Sequence, residues 1–112
     1  MANFIDEMAS IVEKINKNAM DKVKNWLKTY YGKIIGYNIG DSKCYVVVTP
    51  KKVKFFKGEY PACDVLVITE DAGLGADIIA GKGKTLLKEK KLKIWGNLND
   101  LAGFNALMKA VS

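Results

Sequence analysis

The hydrophobic period of this chain changes at Ile34 from nearly four residues to two, and this change constrains the fold more than any other feature. Apolar residues before Ile34 recur at helical spacing, whereas those after it form short runs rich in β-branched and aromatic residues. Helical spacing returns after Thr69. The 112 residues contain no internal repeat, low-complexity segment or linker, so we expect one α+β domain over residues 1–112.

Two amphipathic helices are predicted before the change of period. Phe4 opens a first series of apolar residues at intervals of three and four, and Asn3 precedes it as an N-cap. The cluster at residues 16–18 has no apolar anchor, so we expect a break there, with Asn18 capping a second helix. The second helix carries Val23, Trp26, Leu27 and Tyr30. One unbroken helix across the cluster is the alternative.

Five strands are predicted after the change of period. They correspond to residues 35–39, 44–48, 53–57, 65–69 and 92–96. Because the first four follow one another through short loops, an antiparallel meander is the economical topology. The expected fold class is therefore α+β, with a five-stranded, mostly antiparallel sheet covered by N-terminal helices and a C-terminal helix.

Further helices are predicted on both sides of the fifth strand. Thr69 is expected to begin one of them and Gly81 to end it. Because Gly73 and Gly75 are unfavourable in a helix interior, either this helix is short or its backbone closely approaches another element. A brief helical turn is expected at residues 85–88.

The closing helix has a wide apolar face. Asn97 or Asn99 can cap its start. Its apolar residues are Leu98, Leu101, Ala102, Phe104, Leu107, Met108 and Val111. This face is wider than the stripe needed to cover one side of a sheet, so the N-terminal helices or a bound molecule must cover the rest.

The composition excludes several kinds of site. The chain contains no His, and all 18 residues of its Lys+Arg total are Lys, which gives a formal net charge of +6. Without His there is no Ser-His-Asp or Cys-His catalytic set and no His metal ligand. Without Arg there is no guanidinium group to form bidentate hydrogen bonds with phosphate or guanine. We therefore expect no catalytic residue, metal or cofactor, and favour a binding function.

Two lysine-containing segments resemble nucleotide or nucleic-acid sites, but each has a simpler explanation. The segment 81–85 ends in GKT, yet Ile78 stands where a P-loop needs its first glycine. The lysines between residues 51 and 57 flank Phe55 and Phe56, which strand alternation places on opposite faces, so the two rings cannot stack together on one nucleic-acid strand. A solvated edge strand explains these lysines.

Cys44 and Cys63 are interpreted as small buried apolar residues, since nothing basic enough to activate a thiolate is predicted beside either. Two thiols cannot complete a four-thiolate zinc site, and they suggest a reducing compartment, so a cytoplasmic location is expected. The first apolar stretch is interrupted by charges such as Asp6 and Glu13 and is not a membrane span.

A series of motifs runs from Cys63 to the C-terminus. It comprises a strand that opens with Cys63 and Asp64, a helix that ends in Ala-Gly-Lys at residues 80–82, and the sequence LKIWGN at 92–97 leading into the closing helix. With two helices upstream of the sheet, this order resembles the sterol carrier protein 2 (non-specific lipid-transfer) domain. The resemblance implies an apolar tunnel that binds fatty acyl chains, sterols or other lipids and performs no chemistry.

The chain departs from that family between Gly81 and the fifth strand. Family members have a longer stretch there, with an Ala-Phe pair and a glycine shortly before the strand. Here Leu86-Leu87 replaces the pair, and Lys90-Lys91 stands where the glycine would be. The candidate tunnel-lining residues are Ile78, Leu86, Leu87, Ile94, Leu101, Phe104 and Met108.

The leading hypothesis is a small lipid-binding or lipid-transfer module, with lysines near the tunnel mouth pairing with an acidic headgroup or an anionic membrane surface. The alternative is a non-catalytic protein interaction module, possibly a homodimer formed through a sheet edge or helix face. Non-specific nucleic-acid binding driven by net charge comes third, and specific nucleic-acid recognition is not expected.

Overall fold

The computed structural model of this chain describes residues 3–28 and 31–111. Tyr30, predicted to belong to the second helix, lies outside the described residues. The helices are α1 (Phe4–Asn18), α2 (Met20–Leu27), α3 (Gly75–Ile79), α4 (Gly83–Lys88) and α5 (Leu98–Val111). The strands are β1 (Lys33–Ile39), β2 (Ser42–Val48), β3 (Val53–Lys57), β4 (Val65–Thr69) and β5 (Lys93–Gly96). This order confirms the predicted α+β class.

The predicted break between the first two helices is confirmed. α1 begins after Asn3, whose side chain accepts a hydrogen bond from the backbone N–H of Asp6 at 2.9 Å. Asn18 does not cap α2, so that prediction is wrong. The backbone N–H of Ala19 still bonds to the carbonyl of Ile15, which extends α1 through Asn18 and leaves Ala19 as the junction.

The sheet is mixed, with strand order β3-β2-β1-β4-β5. β1, β2 and β3 form an antiparallel meander as predicted, and β5 is antiparallel to β4, so the sheet is mostly antiparallel. β4 does not continue the meander. It runs parallel to β1, with Ile35 opposite Val65. The predicted four-strand meander is therefore wrong at β4.

Burial and charge explain the position of β4. Its residues Val65 and Val67 are buried, and β4 lies beside β1, the central strand of the sheet. β3 carries Lys54 and Lys57 and stays at the edge, where both residues are exposed. A continued meander would place β3 between two strands and its lysines in the middle of the sheet.

The two faces of the sheet differ in composition. The inner face is apolar: α1 packs against β2 and β3, and α5 packs against β4. On the outer face the ring of Tyr45 lies 5.0 Å from that of Phe56 and 5.2 Å from that of Tyr60, between centroids. Phe55 packs against the core and Phe56 is exposed, which confirms their predicted placement on opposite faces.

The segment after β4 is wound into short turns. Thr69 does not begin a helix as predicted, because it is still paired with Ile39 in the β1–β4 ladder. The side chain of Asp71 caps a 3-10 helix at residues 72–74. In α3, a Cβ at Gly75 would lie 3.1 Å from a ring carbon of Phe4. This helix is therefore both short and in close contact with α1.

α5 begins at Leu98, directly after Asn97, which is one of its two predicted caps. The Oδ1 atom of Asn97 accepts a hydrogen bond from the backbone N–H of Asn99 at 2.8 Å. α5 buries four apolar side chains, those of Leu101, Phe104, Leu107 and Met108. Leu98, counted in the apolar face of the sequence, is 47% exposed.

Candidate functional site

The seven predicted tunnel residues lie in one apolar core between the inner face of the sheet and the helices. Five of them are buried: Ile78, Leu86, Leu101, Phe104 and Met108. The other two, Leu87 and Ile94, are half-buried and pack against the same core. The structure therefore brings these predicted residues of α3, α4, β5 and α5 into a common interior.

A groove of about 290 Å³ separates α4 from α5. Its lining residues are Gly81, Lys82, Thr85, Ala102, Asn105, Ala106 and Lys109. Gly81 has a φ of +82°, and a Cβ there would lie 2.8 Å from Cγ of Lys109, so both conformation and space favour glycine. Gly83 lies in the chain between the groove residues Lys82 and Thr85, and a Cβ there would lie 3.8 Å from the side chain of Leu101, a predicted tunnel residue.

The hydroxyl of Tyr37 lies in the apolar interior with no hydrogen-bond partner among the described residues. Tyr37 is fully buried, and its ring centroid lies 5.7 Å from that of Phe4. Burial, and to a lesser extent Cys44, raises the pKa of Tyr37 well above its ordinary value, so the phenol is neutral. An unpaired buried hydroxyl costs about 1–3 kcal/mol. A polar atom of a bound molecule would remove that cost.

A buried ion pair joins β1 to the start of α5. Nζ of Lys33 donates to Oδ1 of Asp100, and the two side chains are 10% and 9% exposed. Removing one partner would leave an uncompensated charge in the interior, which is strongly destabilising. The ion pair therefore fixes the start of α5 to the sheet. The sequence pattern did not identify it, because the partners are 67 positions apart and neither belongs to a recognisable motif.

The motif residues around β4 and β5 hold the strands together. The carboxylate of Asp64 accepts a hydrogen bond from the backbone N–H of Ile34 at 2.7 Å, and its carbonyl accepts one from Asn97 at 3.1 Å. Gly96 has a φ of +98°, and a Cβ there would lie only 2.1 Å from the carbonyl oxygen of Asp64. These residues therefore fix the geometry of the fold, and the contacts described here join the strands to one another.

The two cysteines lie on opposite faces of the sheet. Cys44 is buried on the inner face as predicted, and burial raises its pKa to about 12. Cys63 is only half-buried; it lies against Gly36 on the outer face and donates to the carbonyl of Tyr60 at 3.1 Å. Burial, with Asp64 and Glu59, raises the pKa of Cys63. Both thiols are thus protonated at neutral pH.

Within residues 3–28 and 31–111, His, Cys, Asp and Glu side chains form no group of three or more that could hold a metal ion. In the same residues no helix has the length and apolar character needed to cross a membrane.

Comparison with known proteins finds similarity over most of the chain. The sequence model of the SCP-2 sterol transfer family matches residues 12–109. A comparison with curated protein sequences finds no significant match.

Solved structures share the fold at low sequence identity. A ubiquinone synthesis protein, UbiJ-SCP2, aligns with a TM-score of 0.68 and 18% identity over 92% of this chain and 88% of its own. Sterol carrier protein 2 from Yarrowia lipolytica, in its apo form, aligns with a TM-score of 0.64 and 18% identity over 92% and 87% of the two chains. The inverting sec-alkylsulfatase from Pseudomonas sp. aligns with a TM-score of 0.62 and 20% identity over 83% of this chain but 14% of that enzyme. The fold is therefore shared with these proteins, and since the family's sequence model spans nearly all of the chain, the chain belongs to the SCP-2 sterol transfer family.

Proposed function

We propose that this chain binds and transfers an amphipathic lipid, such as a fatty acid, an acyl lipid or a sterol-like molecule, and catalyses no reaction. The lipid occupies a tunnel that opens within the apolar core, between the sheet and the last three helices. Its lining residues are Ile78, Leu86, Leu87, Ile94, Leu101, Phe104 and Met108. The whole chain, residues 1–112, acts as one lipid-binding domain.

The observation that carries the proposal is the unpartnered hydroxyl of Tyr37 inside the hydrophobic core. In a family of lipid carriers, such an atom suits a ligand that is mostly hydrocarbon but ends in an oxygen. Each methylene removed from water contributes about 0.8 kcal/mol, so an acyl chain needs few polar contacts for tight binding. The hydroxyl of Tyr37 adds selectivity for an amphipathic ligand over a pure hydrocarbon.

We place the tunnel entrance at the groove between α4 and α5. The charged residues Lys82 and Lys109 border this groove, and Gly83, between its lining residues Lys82 and Thr85, lies close to Leu101. The groove also lies in the segment where the chain is shorter than its family. Small side chains at Ala102 and Ala106 leave room for a ligand to pass. At the rim, Lys82 lies 3.7 Å from Asp77 in an exposed ion pair, which an acidic headgroup can replace.

Other observations favour a carrier over an enzyme. The two thiols are held protonated by burial, so neither is an activated nucleophile. Both cysteines are free thiols, which suits a reducing compartment, and we place the protein in the cytoplasm on this ground.

The first experiment measures lipid binding directly. Native mass spectrometry of the purified chain should show co-purified lipid, and the protein stripped of lipid should bind a fluorescent fatty acid with a Kd on the order of micromolar. The proposal would be overturned if the folded protein carried no co-purified lipid and did not bind the fluorescent fatty acid.

Matched variants then locate the ligand. Phe104→Asp should abolish fatty-acid binding, whereas Phe56→Asp, the same change on the outer face, should leave it intact. Because Phe104 is completely buried and its variant can unfold, Leu87→Asp at a half-buried position serves as a second test, with folding checked by circular dichroism. Equal binding by the folded Leu87→Asp variant and by Phe56→Asp would contradict the placement of the tunnel.

The entrance has its own test. Ala106 is exposed on the groove, so Ala106→Trp should fill the groove while changing the free energy of unfolding by less than about 0.5 kcal/mol. Stopped-flow fluorescence should then show slower fatty-acid uptake. Uptake at the unaltered rate would place the entrance elsewhere.

A further inference from the structure

A groove of about 480 Å³ lies between the start of α1 and the segment that contains the 3-10 helix and α3. Phe4 and Glu7 line it from α1, and Ile39 lines it from the end of β1. The remaining lining residues carry short side chains or none; they are Asn3, Ser42, Ala72, Gly73, Gly75 and Ala76. We call this feature the α1–α3 groove. It is distinct from the groove between α4 and α5.

The α1–α3 groove leads toward the unpartnered hydroxyl of Tyr37. Tyr37 and Ile39 occupy successive inner-face positions of β1, about 7 Å apart along the strand. The ring of Phe4 lines the groove, and its centroid lies 5.7 Å from that of Tyr37. The same ring contacts α3, where a Cβ at Gly75 would lie 3.1 Å from one of its carbons. Phe4 is therefore the side chain that separates the groove from the buried hydroxyl.

The charges at this groove disfavour an anion. Glu7 is the only charged residue among the described residues that line it. The positive end of the α1 dipole also borders the groove, but Asn3 caps it, and Asp6 and Glu7 in the first turn already oppose its charge. An anionic group would therefore meet the carboxylate of Glu7 here. The α4–α5 groove, bordered by Lys82 and Lys109, has the opposite character.

The interior beside Tyr37 disfavours an anion as well. Within the part of the chain that the structure describes, Lys33 is the only buried lysine, and it is paired with Asp100. Lys33 stands four residues before Tyr37 on β1, which is about 13 Å along the strand. The residue opposite Tyr37 on β2 is Cys44, whose protonated thiol supplies no positive charge. The phenol of Tyr37 can donate a hydrogen bond to an uncharged oxygen or accept one from a hydroxyl.

We propose that the α1–α3 groove receives the polar end of the bound lipid and that this end is uncharged, as in a long-chain alcohol or an acylglycerol. The ligand oxygen bonds to the hydroxyl of Tyr37 behind Phe4, and the hydrocarbon extends into the apolar core. A fatty acid binds here in its protonated form, because burying an unpaired carboxylate is so unfavourable that the group takes up a proton instead. The inference rests on the proposed lipid-carrier function and narrows its ligands to one class.

Other ligand ends fit this site less well. A cationic end would meet Glu7 at the groove, but beside Tyr37 it would be a buried charge facing a neutral phenol. A pure hydrocarbon would leave the hydroxyl of Tyr37 without a partner. An uncharged oxygen satisfies that hydroxyl and brings no charge into the core.

Two ligands of equal chain length test the selectivity. Dodecanol and dodecanoate compete at pH 7 with a fluorescent fatty acid for the full, lipid-free chain. Dodecanol should bind about a hundred-fold more tightly, because a carboxyl group with an ordinary pKa of about 4.3 must take up a proton to enter. Equal affinities, or tighter binding of dodecanoate, would overturn this inference and leave the lipid-carrier function standing. No binding of the fluorescent fatty acid or of either competitor would overturn the lipid-carrier function itself.

A charge reversal tests whether the polar end lies at the α1–α3 groove. Glu7→Lys supplies a cation there and should strengthen dodecanoate binding about tenfold, through a hydrogen bond to a charged group. Dodecanol binding should be nearly unchanged, which also shows that the variant is folded. The matched control is Glu13→Lys, the same change at an exposed position of α1 outside this groove, and it should strengthen dodecanoate binding little. Equal gains in the two variants would mean that net charge governs the effect, and would overturn the assignment of the polar end to this groove.

Discussion

Tyr37 places a polar atom where the surrounding side chains are apolar. Its hydroxyl has no partner among the described residues, and the ring is completely buried. In lipid-free protein, Tyr37→Phe should raise the free energy of unfolding by about 1 kcal/mol, because it removes an unsatisfied group. The same change should weaken fatty-acid binding about tenfold, since a ligand loses a hydrogen bond of about 1.4 kcal/mol.

Chemical denaturation and fluorescent fatty-acid titration measure the two effects. Tyr45→Phe, on the outer face, is the matched control and should change neither by much. A Tyr37→Phe protein that is less stable without ligand would show that the hydroxyl already has a partner in the folded chain.

Lys90 adopts a backbone conformation that suits glycine. Its φ is +60°, in the left-handed region, and it belongs to the pair Lys90-Lys91, which stands where the family resemblance implies a glycine. Lys90→Gly should therefore raise the free energy of unfolding by about 1 kcal/mol by relieving this strain. Lys91→Gly, one residue on and without a positive φ, should lower it. Thermal unfolding of both variants checks the pair, and the reverse order of stability would contradict the expectation.

At the scale of elements, Asn16 joins α1 to the edge strand β3. Its side-chain amide donates to the carbonyl of Val53 and accepts from the N–H of Val53, both at 2.8 Å. The sequence indicates a helix break near this residue and does not indicate the attachment. Asn16 thereby satisfies a backbone position at the free edge of the sheet, as a neighbouring strand would.

Loss of this attachment should be measurable. Asn16→Ala should lower the free energy of unfolding by about 1–3 kcal/mol, because two part-buried backbone groups lose their partner. Asn18→Ala, at the exposed end of the same helix, should change it by less than about 0.5 kcal/mol. Urea denaturation compares them. Similar small losses in both would show that water replaces the Asn16 bonds.

The pairing of β4 with β1 is the element-scale feature that local pattern did not predict. Short connections favour a meander, but the choice depends on which strand can tolerate two neighbours. β4 buries Val65 and Val67, whereas β3 carries Lys54 and Lys57 to solvent. The burial of the apolar strand β4 therefore determines the strand order more strongly than the preference for short loops.

At the scale of the whole molecule, alkaline pH should weaken the fold. Burial raises the pKa of Cys44 from 9.0 to about 12 and raises that of Tyr37 as well. In the unfolded chain the Cys44 thiol ionises near pH 9.0, so the stability that comes from keeping it protonated is complete below pH 9.0 and is lost as the pH rises from 9.0 to about 12. The contribution of Tyr37, whose ordinary pKa is 10.0, is lost at higher pH than that of Cys44.

The melting temperature should therefore fall steeply over that interval. Cys44→Ala should make the decline shallower, whereas Cys63→Ala, at a half-buried thiol, should change it less. Differential scanning calorimetry across the pH series measures this. A melting temperature independent of pH above 9.0 would mean that the core opens enough to ionise the thiol without unfolding.

The sequence by itself determined the elements, most of their ends and the family. Hydrophobic period and capping residues are local properties, so the helix break, the five strands and the cap at Asn3 could be predicted from neighbouring residues, and Asn97 was one of two candidate caps for α5. The motif residues around Asp64 and Gly96 carry the resemblance because backbone geometry at the β4–β5 junction allows few alternatives there.

Only the tertiary structure determines which elements pack against one another. The ion pair between Lys33 and Asp100 joins residues 67 positions apart, and the hydroxyl of Tyr37 is unpartnered only because of what packs around it. A period reports which face of an element is apolar, but not which element covers that face. Phe4 and Tyr37 belong to different elements, and only the fold places the ring of Phe4 between the α1–α3 groove and the hydroxyl of Tyr37.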